Sequence, residues 1–396
     1  LNGAQKDKAS PRAVVCVPWV GTFAGGAARA LLDTARLLSA CGWDVTIFTT
    51  KSESPFKDWA KHQDLPDVDS LDGLPVRRFA VNAEGMDEYH AINHRLYSGG
   101  VLSEADKEAF FRLGLASDAL YAAVKALDED VLVICGPYYQ ALAHGVVAAA
   151  PGRAVVMSAF HDEAPFYWEP VKRLITGARA MMFLTEEEKD LTLSAHGDAM
   201  SRRDVEAPVT SLPVGTPDQP PAYEGRQRQL LYVGRLDRGK GLPVLLDWHR
   251  LLNHRLLSSG QEPFRLTITG DGERSLLEGY DVDYRGFVSE AEKAAILRQS
   301  SALVNLSGNE SFSYVVMEAW AQGCPVIVNG ACEVLKGHIE RSNGGAAVWS
   351  YDDFERACLE LSEPSVRTRK GRKGFEYVES TCGEDAFLDN LITLLG

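Results

Sequence analysis

The sequence has no long hydrophobic run. No stretch approaches the roughly 20 apolar residues of a membrane-spanning helix, so a transmembrane segment is not expected. It also has no excess of positive charge. Forty-one Lys and Arg stand against 55 Asp and Glu, a formal net charge of −14. A protein that binds DNA or RNA through its phosphates is normally basic, so nucleic acid is not expected as a partner. A small anion held by a few local cations remains open. Closely spaced cysteines are missing: Cys16, Cys41, Cys135, Cys324, Cys332, Cys358 and Cys382 are scattered. That argues against a disulfide framework, and no His/Cys cluster has zinc spacing. The cysteines read as reduced core residues of a cytoplasmic protein. No secretory leader is visible, since LNGAQKDKASPR leads directly into a strand-like run. The chain starts at Leu1 rather than Met, which leaves open that it is a domain of a longer protein. No internal repeat of fixed period is present.

What is there is a rhythm. A chain of 396 residues, 45% of them apolar, suggests two domains. AVVCVPW (13–19) reads as a buried strand, 28–42 as a helix closed by Gly42, and WDVTIFTT (43–50) as the next strand. Strand, helix and strand in so short a span form a βαβ unit of a parallel sheet. Residues 51–75 read as a polar excursion and 75–81 as a strand. Residues 85–128 read as helices broken at Gly99 and Gly100, with strands at 131–137, 154–161 and 178–185. Thr185 followed by Glu188 predicts a capping box. The segment 211–229, rich in Pro and Gly, is the linker candidate. The alternation then restarts with strands at 230–236, 264–270, 282–288, 302–307, 325–330 and 345–350. The expected architecture is α/β: an N-terminal Rossmann-like domain over 1–215 and a second over 216–380. A C-terminal helix at 381–396 packs back toward the first domain. Two parallel sheets would face a central cleft, and such sheets bind ligands at the carboxyl ends of their strands.

Several motifs fall at those ends. In YVGRLDRGKG (232–241) a strand ends at Gly234, and Arg235 and Lys240 precede a helix. Glycines admit a close backbone approach, a helix start offers N–H groups, and an Arg fork and a Lys charge suit a diphosphate. The plain alternative is a polar turn with solvated basic residues. Gly270 in ITGDGE fits a ligand approach or an ordinary turn, and RGFVS (285–289) is another strand end. Glu310 and Glu318 stand with seven residues between them. Glu310 is expected in a loop and Glu318 within a helix flanked by Val315, Val316, Met317, Ala319 and Trp320. A covered carboxylate needs donors, which sugar hydroxyls would supply. Gly25 and Gly26 end a loop at a helix start, and His161 follows a strand. The triplets Asp67-Val-Asp69 and Asp281-Val-Asp283 read as solvated acids rather than metal ligands.

Taken in order, GRLDRGKG, GDG, GFVS, the pair Glu310 and Glu318, and AQGCPVIV resemble the retaining, nucleotide-sugar-dependent glycosyltransferases of the GT-B fold, family 4-like. The resemblance implies that Arg235 and Lys240, with Gly234 and Gly270, hold the donor diphosphate. It implies that Glu318 binds the ribose, and that Glu310 with Ser311, Phe312 and Ser313 meets the transferred sugar. Phe287 and Val288 would frame the base, Gly25 and Gly26 cover the phosphates, and His161 lies near the sugar. It implies no metal and no cofactor beyond the donor, a UDP-sugar or GDP-sugar. The acceptor would be a saccharide, a lipid-linked saccharide or a small molecule. Peripheral contact with the inner face of a membrane is compatible with it. Two departures stand out: the family often has Gly where Ser313 stands, and its glycine-rich sugar-facing segment is GACEVLKGH (330–338) here. Rival readings are a sugar-nucleotide epimerase of the same fold, a non-catalytic two-domain sugar-binding protein, and an inactive partner subunit.

Overall fold

The computed structural model describes residues 10–21, 25–53, 59, 64–217, 219 and 221–395. The chain forms two compact units, Leu1–Thr210 with Leu388–Gly396, and Ser211–Phe387. The return of the C-terminus to the first unit is held by polar contacts. Asn390 Nδ2 donates to the Val209 carbonyl at 3.0 Å, and Arg179 and Arg203 donate to the carbonyl of Leu395.

The first unit is built on seven strands: β1 (Arg12–Val17), β2 (Asp44–Thr50), β3 (Val68–Leu71), β4 (Leu74–Phe79), β5 (Leu132–Cys135), β6 (Ala154–Met157) and β7 (Ala180–Met182). Their order is β3-β4-β2-β1-β5-β6-β7. β5, β6 and β7 are buried at every residue. That fits continuous apolar runs covered by helices on both faces. The polar excursion contains a strand that alternation did not reveal. β3 pairs antiparallel with β4 through a hairpin whose turn residues Asp72 and Gly73 have φ of 51° and 84°. Its residues Val68, Asp69 and Ser70 are exposed, so no apolar pattern marks this edge. Asp67 and Asp69 are exposed, as expected, and pair with Lys51 and Arg78.

The second unit has six parallel strands: β8 (Gln229–Val233), β9 (Arg265–Thr269), β10 (Asp283–Gly286), β11 (Ala302–Asn305), β12 (Val326–Asn329) and β13 (Gly345–Val348). Their order is β10-β9-β8-β11-β12-β13. The direction of strand addition therefore reverses between β8 and β11, the place where open parallel sheets bind ligands. The helix Tyr314–Ala321 is apolar nearly all round and belongs to the core. Trp320 is fully buried and its Nε1 donates to the Gly344 carbonyl at 2.9 Å. A Cβ on Gly374 would stand 2.1 Å from its ring, so a side chain there would displace the indole.

Six of the seven cysteines are buried and all are free thiols. Cys41, at the end of the first helix, is exposed and not a core residue. Within the segment 330–338, Cys332 is the N-cap residue of a helix running Glu333–Ser342, without a side-chain cap bond.

Candidate active site

At the reversal between β8 and β11, three loops meet. β8 runs into Gly234, whose N–H donates to the Thr269 carbonyl at 3.0 Å. Gly270, just past β9, has φ of 127°, and a Cβ on it would lie 1.8 Å from the Gly234 carbonyl oxygen. Only glycine permits that contact. Leu236 N–H donates to Asp271 O and Glu273 N–H to Leu236 O, both at 2.9 Å. Two strand ends are thus zipped together beyond the sheet. Asp237 then caps a short 3₁₀ turn, Arg238–Lys240, accepting from Gly239 N–H at 2.7 Å. Gly241 follows with φ of 71°, where a Cβ would meet the Leu306 carbonyl oxygen at 2.2 Å. The helix Leu242–Ser258 begins there.

The loop after β11 packs against that turn. Gly308 N–H reaches Gly239 O at 3.3 Å. Glu310 is in this loop, and its Oε1 lies 2.8 Å from Lys240 Nζ. Ser307 Oγ donates to Asn309 O at 3.0 Å, and Asn329 Nδ2 donates to Ser307 O at 3.2 Å. The loop is therefore braced from β12 as well. Ser313 has φ of 70°, the left-handed region that glycine occupies without strain. Its Oγ accepts from the buried Asn305 Nδ2 at 3.0 Å, a bond that a glycine there would lose.

Glu318 lies in the helix Tyr314–Ala321 and is buried, with 9% exposure. A surface acid is excluded. Its Oε2 is 2.8 Å from Lys293 Nζ, which is itself largely covered. The donors that burial demands come at least partly from the protein and not only from a ligand. Each of the two acids therefore has its own lysine, Lys240 for Glu310 and Lys293 for Glu318. Lys293 gives no sequence signal, because in its helix it reads as one more surface charge.

His338 is the other residue that sequence reasoning passed over. It is buried, and its Nε2 bonds the Phe312 carbonyl at 2.9 Å. Burial, aided by Arg341, pushes its imidazole down to about 3. It is therefore neutral, with the proton on the nitrogen that faces the carbonyl. This contact fixes the backbone between Glu310 and Ser313. Phe287, just past β10, is 78% exposed, with Val288 half-buried beside it. Arg235 Nε lies 3.2 Å from Asp237 Oδ2 and keeps 41% of its side chain exposed.

In the first unit, the strand order reverses between β1 and β5. Gly25 is the N-cap of the helix Gly26–Ala40, with no side-chain cap. Residues 22–24 of its loop lie outside the described residues. Beyond β6, Phe160 N–H and Ser158 Oγ donate to Glu188 Oε1 at 2.6 and 2.8 Å. Leu184 N–H donates to Glu188 Oε2 at 2.6 Å. Thr185 Oγ1 does accept from Glu188 N–H, but the glutamate does not complete a capping box. Its carboxylate turns inward and ties the turns after β6 and β7 together. Burial pushes it up to about 7 against the pull of those hydrogen bonds. His161 directly follows Phe160. Its Nδ1 is 3.4 Å from Glu163 Oε1, which also accepts from Tyr138 Oη at 2.7 Å. Burial alone would raise Glu163, but bonds from His161 and Tyr138 outweigh it and hold the carboxyl below its ordinary range.

Within the second unit, the structure brings together Gly234, Arg235, Lys240, Gly270, Glu310, Ser311, Phe312 and Ser313, with Glu318 in the helix behind them. Such a site can hold an anion on backbone N–H groups and cations, and can present carboxylates to hydroxyls.

Residues 227–363 match the family model described as Glycosyl transferases group 1. The human alpha-1,3/1,6-mannosyltransferase ALG2 is 23% identical over 98% of this chain and 97% of its own. The D-inositol 3-phosphate glycosyltransferase of Paenarthrobacter aurescens is 28% identical over 54% of this chain and 56% of its own. Among solved structures, "Trehalose-6-phosphate from E. coli bound with UDP-2-fluoro glucose" superposes with a TM-score of 0.72 at 14% identity, over 97% of this chain and 98% of that one. Sucrose-phosphate synthase from Thermosynechococcus elongatus gives 0.68 at 15% identity, over 97% and 98%. The fold is GT-B.

Proposed function

We infer that this chain, a glycosyltransferase of the group 1 type, moves a hexose-type sugar from a nucleoside diphosphate to an acceptor hydroxyl with retention of anomeric configuration. The observation that carries the reading is the Lys240–Glu310 pair, 2.8 Å apart where the strand order reverses, inside a loop whose glycines admit a ligand to the backbone.

The diphosphate of the donor is assigned to the loop Gly234–Gly241. Arg235 supplies a planar fork and Lys240 a point charge. As the bond from the anomeric carbon to phosphate breaks, negative charge grows on the leaving oxygen. Groups aimed at that charge stabilise the transition state more than the bound substrate, and this differential is catalysis. Glu310 holds Lys240 in place before the donor arrives and accepts from a hydroxyl of the transferred sugar. Glu318, already bonded by Lys293 on one oxygen, takes the ribose. Phe287 and Val288 flank the base. His161, braced by Glu163, is the first unit's candidate for the reacting sugar. The acceptor oxygen attacks the anomeric carbon on the face the phosphate leaves, and its proton passes to the departing phosphate oxygen. No protein nucleophile is needed in this route.

The donor is a UDP-sugar or GDP-sugar. A solved neighbour bound with UDP-2-fluoro glucose favours trying UDP first, and the mannosyltransferase relative makes mannose a sugar to include. A saccharide, a lipid-linked saccharide or a small polyol phosphate is the acceptor class to screen. The experiment is release of nucleoside diphosphate from a panel of donors, with and without acceptors. Release that requires an acceptor supports the reading. Release or isomerisation of the donor without any acceptor contradicts it.

A further inference from the structure

Five of the 41 Lys and Arg fall within seven consecutive residues, Arg367 to Lys373, in a chain of net charge −14. They belong to the helix Pro364–Thr381. A cavity of about 740 Å3 opens beside the first turns of this helix, lined by Arg367, Arg369, Arg372 and Lys373 with Glu224 and Glu376. Lys373 pairs with Glu376 at 2.7 Å. The three arginines then face one further lining acid, the exposed Glu224. The opposite side of the helix cannot move away from them. A Cβ on Gly371 would lie 2.2 Å from the Gly323 carbonyl oxygen, so the helix is seated backbone against backbone.

Arg367 is the unusual member. It is 6% exposed, and its Nη1 donates to the carbonyls of Leu361 and Ser362 at 3.1 and 3.0 Å. Its Nε, also buried, has no partner. Close by, Arg226 is 7% exposed and donates to the carbonyls of Leu297, Ser300 and Gln322. Its Nε too has no partner. Among the described residues, both guanidinium groups rest on carbonyls alone, and neither has a carboxylate in ion-pair range. Burial pushes both below their ordinary value, and the charge of Arg226 adds to the effect at Arg367. Buried charge without a counter-charge is costly. An anion in the adjoining cavity would supply one.

The cavity is far from the candidate active site along the sheet. Glu224 and Arg226 precede β8, Gln322 precedes β12, and Ser362 ends the helix that follows β13, so these groups lie at the amino ends of the strands. Arg235, Lys240 and Glu310 follow β8 and β11 and lie at the carboxyl ends.

We propose that this cavity is a second anion site, which takes the phosphate group of a phosphomonoester or phosphodiester. Arginine forks match phosphate oxygens in pairs, and the start of a long helix adds its positive end. The phosphate can come from a dissolved compound or from a phospholipid headgroup, and the experiment separates the two.

The full-length chain is compared with R369A/R372A/K373A, which changes only exposed side chains, and with R235A/K240A. Circular dichroism checks that each folds. One arm titrates inorganic phosphate and tripolyphosphate by calorimetry. The other floats the protein with vesicles of phosphatidylcholine alone, or of phosphatidylcholine with phosphatidylglycerol. The proposal expects binding in at least one arm, weakened on the order of a hundredfold in the triple variant at moderate salt and retained in R235A/K240A. Binding in the first arm alone assigns a dissolved ligand, and binding to anionic vesicles alone assigns a lipid. Equal binding by parent and triple variant, no binding in either arm, or loss in R235A/K240A instead would overturn it. Because R235A/K240A leaves this cavity untouched, failure here is distinguishable from failure of the glycosyltransferase reading.

Discussion

Lys240 Nζ and Glu310 Oε1 stand 2.8 Å apart although the two residues follow different strands, β8 and β11, of one sheet. The lysine side chain keeps 35% exposure and the glutamate 13%. With the lysine in reach of water, the pair contributes on the order of 1 kcal/mol to stability. Its value to the protein is therefore positional. It points a cation at the space beside the Gly239 turn before any ligand is there, and preorganised charge is what a developing phosphate charge needs.

Replacing Arg235 with Ala removes one such cation from an exposed position. Turnover should fall on the order of a hundredfold, equivalent to about 3 kcal/mol, with the melting temperature nearly unchanged. Steady-state kinetics and a thermal melt check this together. A turnover within a factor of about two of the parent would remove Arg235 from the diphosphate site.

Lys240→Ala should act on turnover in the same direction, but Lys240→Ala/Glu310→Ala should lose little beyond the worse single variant. Residues that act as one unit are not additive. A double variant whose loss equals the product of the two single losses would show that the pair works as two independent groups.

Gly270→Ala places a methyl group 1.8 Å from the Gly234 carbonyl oxygen, at a backbone φ of 127°. The loops after β8 and β9 must separate to admit it. A loss on the order of 2–4 kcal/mol is expected, read as a lower denaturant midpoint. Gly42→Ala is the comparison. It also has positive φ but open space around it, so its loss should be on the order of 1 kcal/mol.

Glu188 has an ordinary value of 4.5 and is pushed up to about 7 by burial in the folded chain. Between these values the folded state binds more protons than the unfolded one, so stability falls as pH rises from 4.5 to 7. The contribution is on the order of 3 kcal/mol. Glu188→Gln should lower stability at acid pH, where it breaks hydrogen bonds, while removing this slope. Denaturant midpoints of parent and variant across pH 4.5–7 would converge as pH rises. Parallel curves would contradict the assignment.

His338 works with the opposite sign. Held neutral down to about 3 against an ordinary 6.5, it binds fewer protons folded than unfolded. Stability is therefore lost as pH falls through that window, by an amount on the order of several kcal/mol. His338→Leu should flatten the acid limb and weaken donor binding, because the Phe312 carbonyl loses its donor and the Glu310–Ser313 backbone loosens. An acid limb identical to the parent's would show that His338 is not the titrating group.

Most strands were legible because parallel sheets covered on both faces read as continuous apolar runs, as in Leu132–Cys135 and Ala154–Met157. Strand β3 was not, since a solvent-facing edge carries no such run. The glycines of the second unit and Glu310 stood out because each follows a strand, and Glu318 because it stands among apolar residues of a helix. Their partners did not. Lys293 and His338 reach Glu318 and Phe312 only after the chain folds, and nothing in a helical pattern distinguishes a lysine that points inward. The inward turn of Glu188 was hidden for the same reason: the motif Thr185-x-x-Glu188 describes the capping bonds, and two distant donors, Ser158 and Phe160, with the nearby Leu184 N–H, outcompete them.

Hydrogen–deuterium exchange with UDP and GDP added separately is the most direct test that the loop Gly234–Gly241 grips a diphosphate. The expected result is slowed exchange at Gly234–Gly241 and at residues 307–313 with one of the two nucleotides, and none with that nucleotide in Arg235→Ala. Unchanged exchange at both loops with either nucleotide, or protection confined to other parts of the chain, would contradict it.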